Sequence, residues 1–156
     1  MERKICAVFG ESPEELEFGY DEEHYLCTEM KLNLVCAIKM LADDGYRAFC
    51  STAEQGCEMW AAEACLAIKE LGGDVRFITA VTAHGCADKW HPERRERYFG
   101  ILSTCDEVVE PEDPICGLEY IFSVADAAII QGETDNKRIA DYIKTAEEHG
   151  LTVYRV

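Results

Sequence analysis

Glu58, Trp60 and Glu63 fall in the first turns of a helix pattern that follows a polar turn at residues 51–56, within the stretch CSTAEQGCEMWAAEAC. The first turn of a helix leaves backbone N–H groups unpaired beside the positive end of its dipole, a geometry that recognises anions or hydroxyls. Glu54 and Glu58 suit such a helix start but would repel a phosphate. Ribose hydroxyls or a base edge are therefore the expected ligand groups, with Thr52, Gly56 and Glu58 as binding candidates. Glu58 and Glu63 lie about 140° apart around a helix and cannot form a tight acid–base pair. Glu58 is the candidate catalytic carboxylate, whereas Glu63 reads as a helix-face acid satisfied by a neighbour. Trp60 fits either core packing or stacking on a base at the site rim.

A second cluster, TAHGCADKWHPERRERYFG at 82–100, carries Lys89, Trp90, Arg94, Arg95 and Arg97. Lys89 or Arg94 suits a ligand phosphate, but alternating Glu and Arg also describes an ion-paired helix face. His84 and His91 have the wrong spacing and company for a metal, and no metal site or cofactor is expected. The run IIQGETDNKRIADY places Gly132, Thr134 and Asp135 just before a helix, where Thr or Asp would act as its cap. No phosphate-binding lysine loop, GxGxxG, nucleophile elbow or HExxH occurs.

Alternating elements must position these residues. Strand-like runs at 4–10, 46–51, 74–81, 107–110, 127–132 and 151–156 alternate with helix patterns at 22–43, 57–71, about 92–104, 116–125 and 136–149. That order predicts an α/β fold: a Rossmann-like three-layer sandwich, with a mainly parallel sheet of about six strands and helices on both faces. Residues 1–156 fit one domain. Ligands of such sheets bind at the carboxyl ends of the strands, which selects the loops 10–20, 51–56, 82–91, 111–115 and 132–135. The segment ESPEELEFGYDEEH, with Glu11 next to Gly10, is long for a connection and reads as a mobile flap or a solvated acidic loop.

Composition excludes several classes. The formal net charge of -16 from 31 acidic and 15 basic residues sets up a field that repels duplex nucleic acid and anionic membranes. A phosphate-bearing small molecule remains compatible, because a diffuse field is screened over about 8 Å in physiological salt. Nine cysteines without a CxxC pair suggest neither a disulfide framework nor zinc, and a reducing cytoplasmic compartment is expected. No run approaches the roughly 20 apolar residues of a membrane span.

The strand ending at Gly10, the string GCEMWAAEA at 56–64, the DKW after the third strand and ADAAIIQG before the last helix resemble the SLOG superfamily, in its YpsA-like branch. The resemblance covers nearly the whole chain. It implies a Rossmann-like fold binding nucleotides or nucleotide-derived ligands, and nominates Gly10, Thr52, Gly56, Glu58, Trp60, Trp90 and the loop 132–135. Ala53 stands where relatives carry a turn glycine, which argues against a very close backbone approach. Residues 131–136 lack the glycine-rich threonine loop of the cytokinin-activating phosphoribohydrolases, which argues against N-glycoside hydrolysis. Two functions follow: a binding or sensing protein for a nucleotide-like small molecule, or a hydrolase of a nucleoside or nucleotide N-glycosidic bond. The hydrolase requires a second polar group opposite Glu58, for which Glu11 and Asp135 are the candidates. Self-association through an apolar face of the first helix is a further expectation.

Overall fold

The computed structural model describes residues 4–82, 85–110 and 117–156, so His84 and the expected loop at 111–115 lie outside the described residues. β1 (Lys4–Phe9) leads through a 3-10 turn at Pro13–Glu15 to α1 (Tyr25–Asp43), and β2 (Tyr46–Ser51) leads to α2 (Cys57–Glu70). β3 (Arg76–Ala80), α3 (Pro92–Thr104), β4 (Glu107–Val109) and α4 (Gly117–Val124) follow, then β5 (Ala127–Ile130), α5 (Lys137–Glu148) and β6 (Thr152–Arg155). All six strands are parallel, in the order β4-β3-β2-β1-β5-β6. The fold is the expected α/β Rossmann-like sandwich.

Successive strand residues point to opposite faces, and here both sets are apolar. Cys6, Val8, Phe49 and Phe77 pack with Leu34, Ile38 and Leu41 of α1, Met59 of α2 and Ile101 of α3. Ala7, Phe9, Ala48 and Ile78 pack with Ile121 and Phe122 of α4 and Ile139 of α5. Phe9 stacks on Phe122 at 4.7 Å and on Tyr142 at 4.8 Å between ring centroids, which ties the central strand to both helices of that face. The sheet therefore grows from β1 to β4 under α1, α2 and α3, then returns to the other side of β1. With crossovers of constant hand, reversing direction moves the next helices to the opposite face. Connections consequently diverge between β1 and β5, and their carboxyl ends open a crevice there.

The first helix begins at Tyr25, three residues later than its periodicity predicts. Asp21 Oδ1 accepts from the Glu23 N–H at 3.1 Å, and the cap residue His24 accepts from the Leu26 N–H through Nδ1 at 3.1 Å. Those local bonds hold 21–24 in turns. The outer face of α1 exposes Leu32 and Met40. None of the eight described cysteines forms a disulfide, and no helix among the described residues is long and apolar enough to cross a membrane.

Burial on both sheet faces has a measurable consequence. Phe49→Ala, at a fully buried site, should lower unfolding free energy in urea by about 3 to 5 kcal/mol. Leu71→Ala, at a residue 87% exposed, should change it by no more than about 0.5 kcal/mol. Similar losses for both variants would contradict the layered core.

Candidate functional site

The turn from β2 into α2 is fixed by its own polar side chains. Ser51 Oγ donates to the Glu58 carbonyl and accepts from the Ala53 N–H, both at 3.0 Å, and Thr52 Oγ1 accepts from the Glu54 N–H at 3.3 Å. Ala53 is buried at φ 58°, so the turn takes the left-handed form expected of glycine without having one. Gly56, the residue before α2, has φ 99°, and a Cβ there would stand 2.5 Å from the Glu11 carbonyl oxygen. Gly10 is equally constrained: its Cβ would meet Cys57 Cβ at 2.4 Å. The end of β1 thus rests directly on the first turn of α2.

This contact uses up the helix start. The Cys57 N–H donates to the Glu11 carbonyl at 3.4 Å and the Met59 N–H to the Glu54 carbonyl at 2.9 Å. Glu58 is 7% exposed, and its Oε1 is buried without a hydrogen-bond partner. Burial pushes its carboxyl pKa well above the ordinary range; Arg138 opposes that rise, Glu54 adds to it, and hydrogen bonds from the backbone of Gly10 and of Glu58 itself oppose it. Burial therefore favours the neutral form of this carboxyl.

Glu58 lines a cleft of about 220 Å³ at the carboxyl ends of β1 and β2, together with Thr52, Gln55, Tyr20, Trp90 and Arg138. Gln55 Oε1 is also buried and unpartnered. Glu54 faces the same space and accepts from Thr82 Oγ1 at 3.0 Å. Arg138 enters from α5, where Asn136 Oδ1 accepts from the Arg138 N–H at 3.0 Å. Its guanidinium donates to the Gly10 carbonyl and to the Tyr142 hydroxyl, both at 2.9 Å, and pairs with Glu15.

The long acidic segment is clamped. Glu22 accepts from Lys31 at 2.7 Å, Arg97 at 2.5 Å, Arg94 at 3.3 Å and the Trp60 indole N–H at 3.2 Å. Arg97 also binds Glu63 at 2.6 Å, so Glu63 is satisfied by a neighbour, as its position on the helix suggested. Arg94 donates to the Tyr20 carbonyl at 2.9 Å and lies over the Tyr20 ring, which fixes that ring at the cleft wall. Burial disfavours ionisation of Glu22, but hydrogen bonds and attraction from Arg97 and Lys31 overcome it and bring its pKa down to about 2. Glu15 behaves likewise: burial again works against the charge, while Arg138, the Ser12 backbone and Asn136 lower its pKa to about 2. The segment is neither a free flap nor a merely solvated loop.

Several expected site residues are therefore separated. Thr52, Glu58 and Trp90 share the cleft, and Gly10 and Gly56 shape its base through the backbone. Trp60 does not line it; its indole packs near Phe18, with Lys31 over the ring. Glu11 turns to the other side of the crevice, where its backbone N–H donates to Gln131 Oε1 at 2.9 Å and Gln131 Nε2 donates to its carboxylate at 3.0 Å. Glu11 and Gly132 line a separate cavity of about 410 Å³. Thr134 and Asp135 are exposed, do not line the Glu58 cleft, and leave the capping of α5 to Asn136. Neither Glu11 nor Asp135 converges on Glu58. The groups that do, Glu54 and Arg138, were not proposed as its partners from sequence. Arg138 and Tyr142 sit one turn apart on α5, the signal available for them. Among the described residues, no three His, Cys, Asp or Glu side chains gather to hold a metal.

A parallel sheet with its cleft at the carboxyl ends beside a strand-order reversal defines a Rossmann-like ligand-binding architecture. The profile of the YpsA family, described as the YspA SLOG family, matches residues 6–113, and the chain belongs to that family. A UPF0398 protein of Bacillus velezensis is 24% identical over 103 residues, covering 66% of this chain and 56% of the relative. A UPF0398 protein of Bacillus pumilus is 28% identical over 105 residues, covering 67% and 56%. The chain thus spans little more than half the length of these relatives. The family match includes Thr52, Glu58 and Trp90 and stops short of Arg138 and Tyr142. Membership suggests a nucleotide-related function.

The two kinds of shifted carboxyl give opposite pH dependences. A lowered folded pKa stabilises above the unfolded value and loses that stability in acid, so Glu22→Gln should flatten the wild-type stability loss between pH 4.5 and about 2. A raised folded pKa destabilises as pH climbs past the unfolded value. Glu58→Gln should therefore raise the thermal midpoint more at pH 8 than at pH 4, and an equal or reversed difference would contradict the buried neutral acid.

Proposed function

We propose that the chain binds a nucleotide or nucleotide-derived small molecule in the cleft over Glu58. The observation that carries this reading is a buried carboxyl oxygen without a partner on Glu58, a residue that lines a small cleft together with Tyr20 and Trp90. A buried polar atom left unpaired costs about 1 to 3 kcal/mol, and a ligand hydroxyl, amine or ring nitrogen would satisfy it. A neutral carboxyl both donates and accepts, which suits a base edge or a sugar. The aromatic walls offer a stacking surface of the kind heterocycles use. Family membership supports the same class of ligand.

A second reading, hydrolysis of an N-glycosidic bond, is favoured by the same raised pKa. An acid whose protonated form is favoured by burial can deliver a proton to a departing base, with the Glu54 side chain in the same cleft facing the developing sugar cation. Glu58 is then the proton donor, rather than the water-activating or charge-stabilising carboxylate that its sequence position suggested.

Binding is tested by thermal unfolding in the presence of nucleosides, nucleotides, dinucleotides and ADP-ribose. A ligand at 100 times its dissociation constant should add about 2.7 kcal/mol of stability, and Thr52→Val should weaken the effect. No shift with any member of the panel would contradict the reading. Release of free base, abolished in Glu58→Gln while binding persists, would favour the hydrolase.

A further inference from the structure

We propose that the ligand of this site is a nucleoside 5′-phosphate held base inward, with its heterocycle over Glu58 and its phosphate in the adjoining chamber beside Lys89. The inference rests on the nucleotide reading above and adds the direction in which the ligand lies. A Rossmann-like sheet commonly places phosphate on the amides of a helix start. At α2 those amides are already committed: Cys57 N–H to the Glu11 carbonyl and Met59 N–H to the Glu54 carbonyl. Glu54 and Glu58 face the same floor. A phosphate there would find few donors and adjacent acids.

The opposite end of the cleft differs. A chamber of about 640 Å³ shares Glu14, Tyr20, Gln55 and Trp90 with the cleft, so the two adjoin along a wall that carries both aromatic rings. Beyond the shared residues it is lined by Lys89, His91 and Arg94, with Glu93 as an acid among them. Arg94 is tied to Glu22 and the Tyr20 carbonyl. Lys89 is exposed and has no ion-pair partner among the described residues, which leaves it to meet an incoming anion. His91 accepts from the Glu93 N–H through Nδ1 at 3.3 Å, so the neutral ring carries its proton on Nε2 and donates from there. A planar ring between Tyr20 and Trp90, with one edge on Glu58, leaves its 5′ substituent directed toward Lys89.

Calorimetric titration of the full chain with adenosine, AMP and ADP tests the direction. AMP and ADP should bind about tenfold more tightly than adenosine, the scale of one charge-assisted contact, and the advantage should shrink as salt rises. Lys89→Ala should bring AMP down to the affinity of adenosine without weakening adenosine itself, and Lys89→Arg should restore the difference. If adenosine and AMP bind equally, or if the AMP advantage survives Lys89→Ala and disappears in Arg138→Ala, the orientation is wrong while the nucleotide site stands. If none of the three binds, the site reading fails together with the orientation.

Discussion

Two missing side chains let the site exist. Without a Cβ at Gly10 the last turn of β1 lies against Cys57, and without one at Gly56 the Glu11 carbonyl reaches the first amide of α2. That close approach brings the central strand, the β2 turn and the start of α2 into one joint and carries Glu58 into the interior. A side chain at either glycine would push the strand end away from the helix. The joint would open, water would reach the carboxyl, and its pKa would fall back toward that of an ordinary glutamate.

Charge is arranged around this joint with a purpose that the overall excess of acid conceals. Glu15 and Glu22 anchor the long segment after β1, each through arginine, from α5 on one side and from α3 on the other. The clamps set Tyr20 and Pro13 beside the cleft, so a segment whose composition suggests mobility becomes a wall. Glu58 alone among these acids faces an unpaired interior space. The same residue type thus serves as fastener in two places and stays without a guanidinium partner in a third.

Much of the fold was legible because it is local. Period-two and period-3.6 apolar patterns located the six strands and five helices, and alternation of the two implies a parallel sheet. The β2–α2 turn was legible for the same reason. Of the two roles open to Trp60, packing or stacking at the rim, the structure shows packing: two residues are about 200° around a helix, so a helix that aims Glu58 at the cleft aims Trp60 away from it. Glu11 and Asp135 were the candidates for a polar group opposite Glu58. Tertiary pairing decided otherwise, since Gln131 holds Glu11 on the far side and Asn136 takes the cap of α5. Arg138 was invisible for a plainer reason: 80 positions separate it from Glu58, and no local pattern reports such a meeting.

We propose that a nucleotide contacts Glu58, a buried acid with one unpartnered carboxyl oxygen, and carboxyl carbon NMR of the labelled chain tests this directly. The Glu58 resonance should titrate well above the range of the exposed glutamates and should move when AMP is added. A Glu58 signal that titrates with the exposed glutamates and ignores AMP would contradict the account.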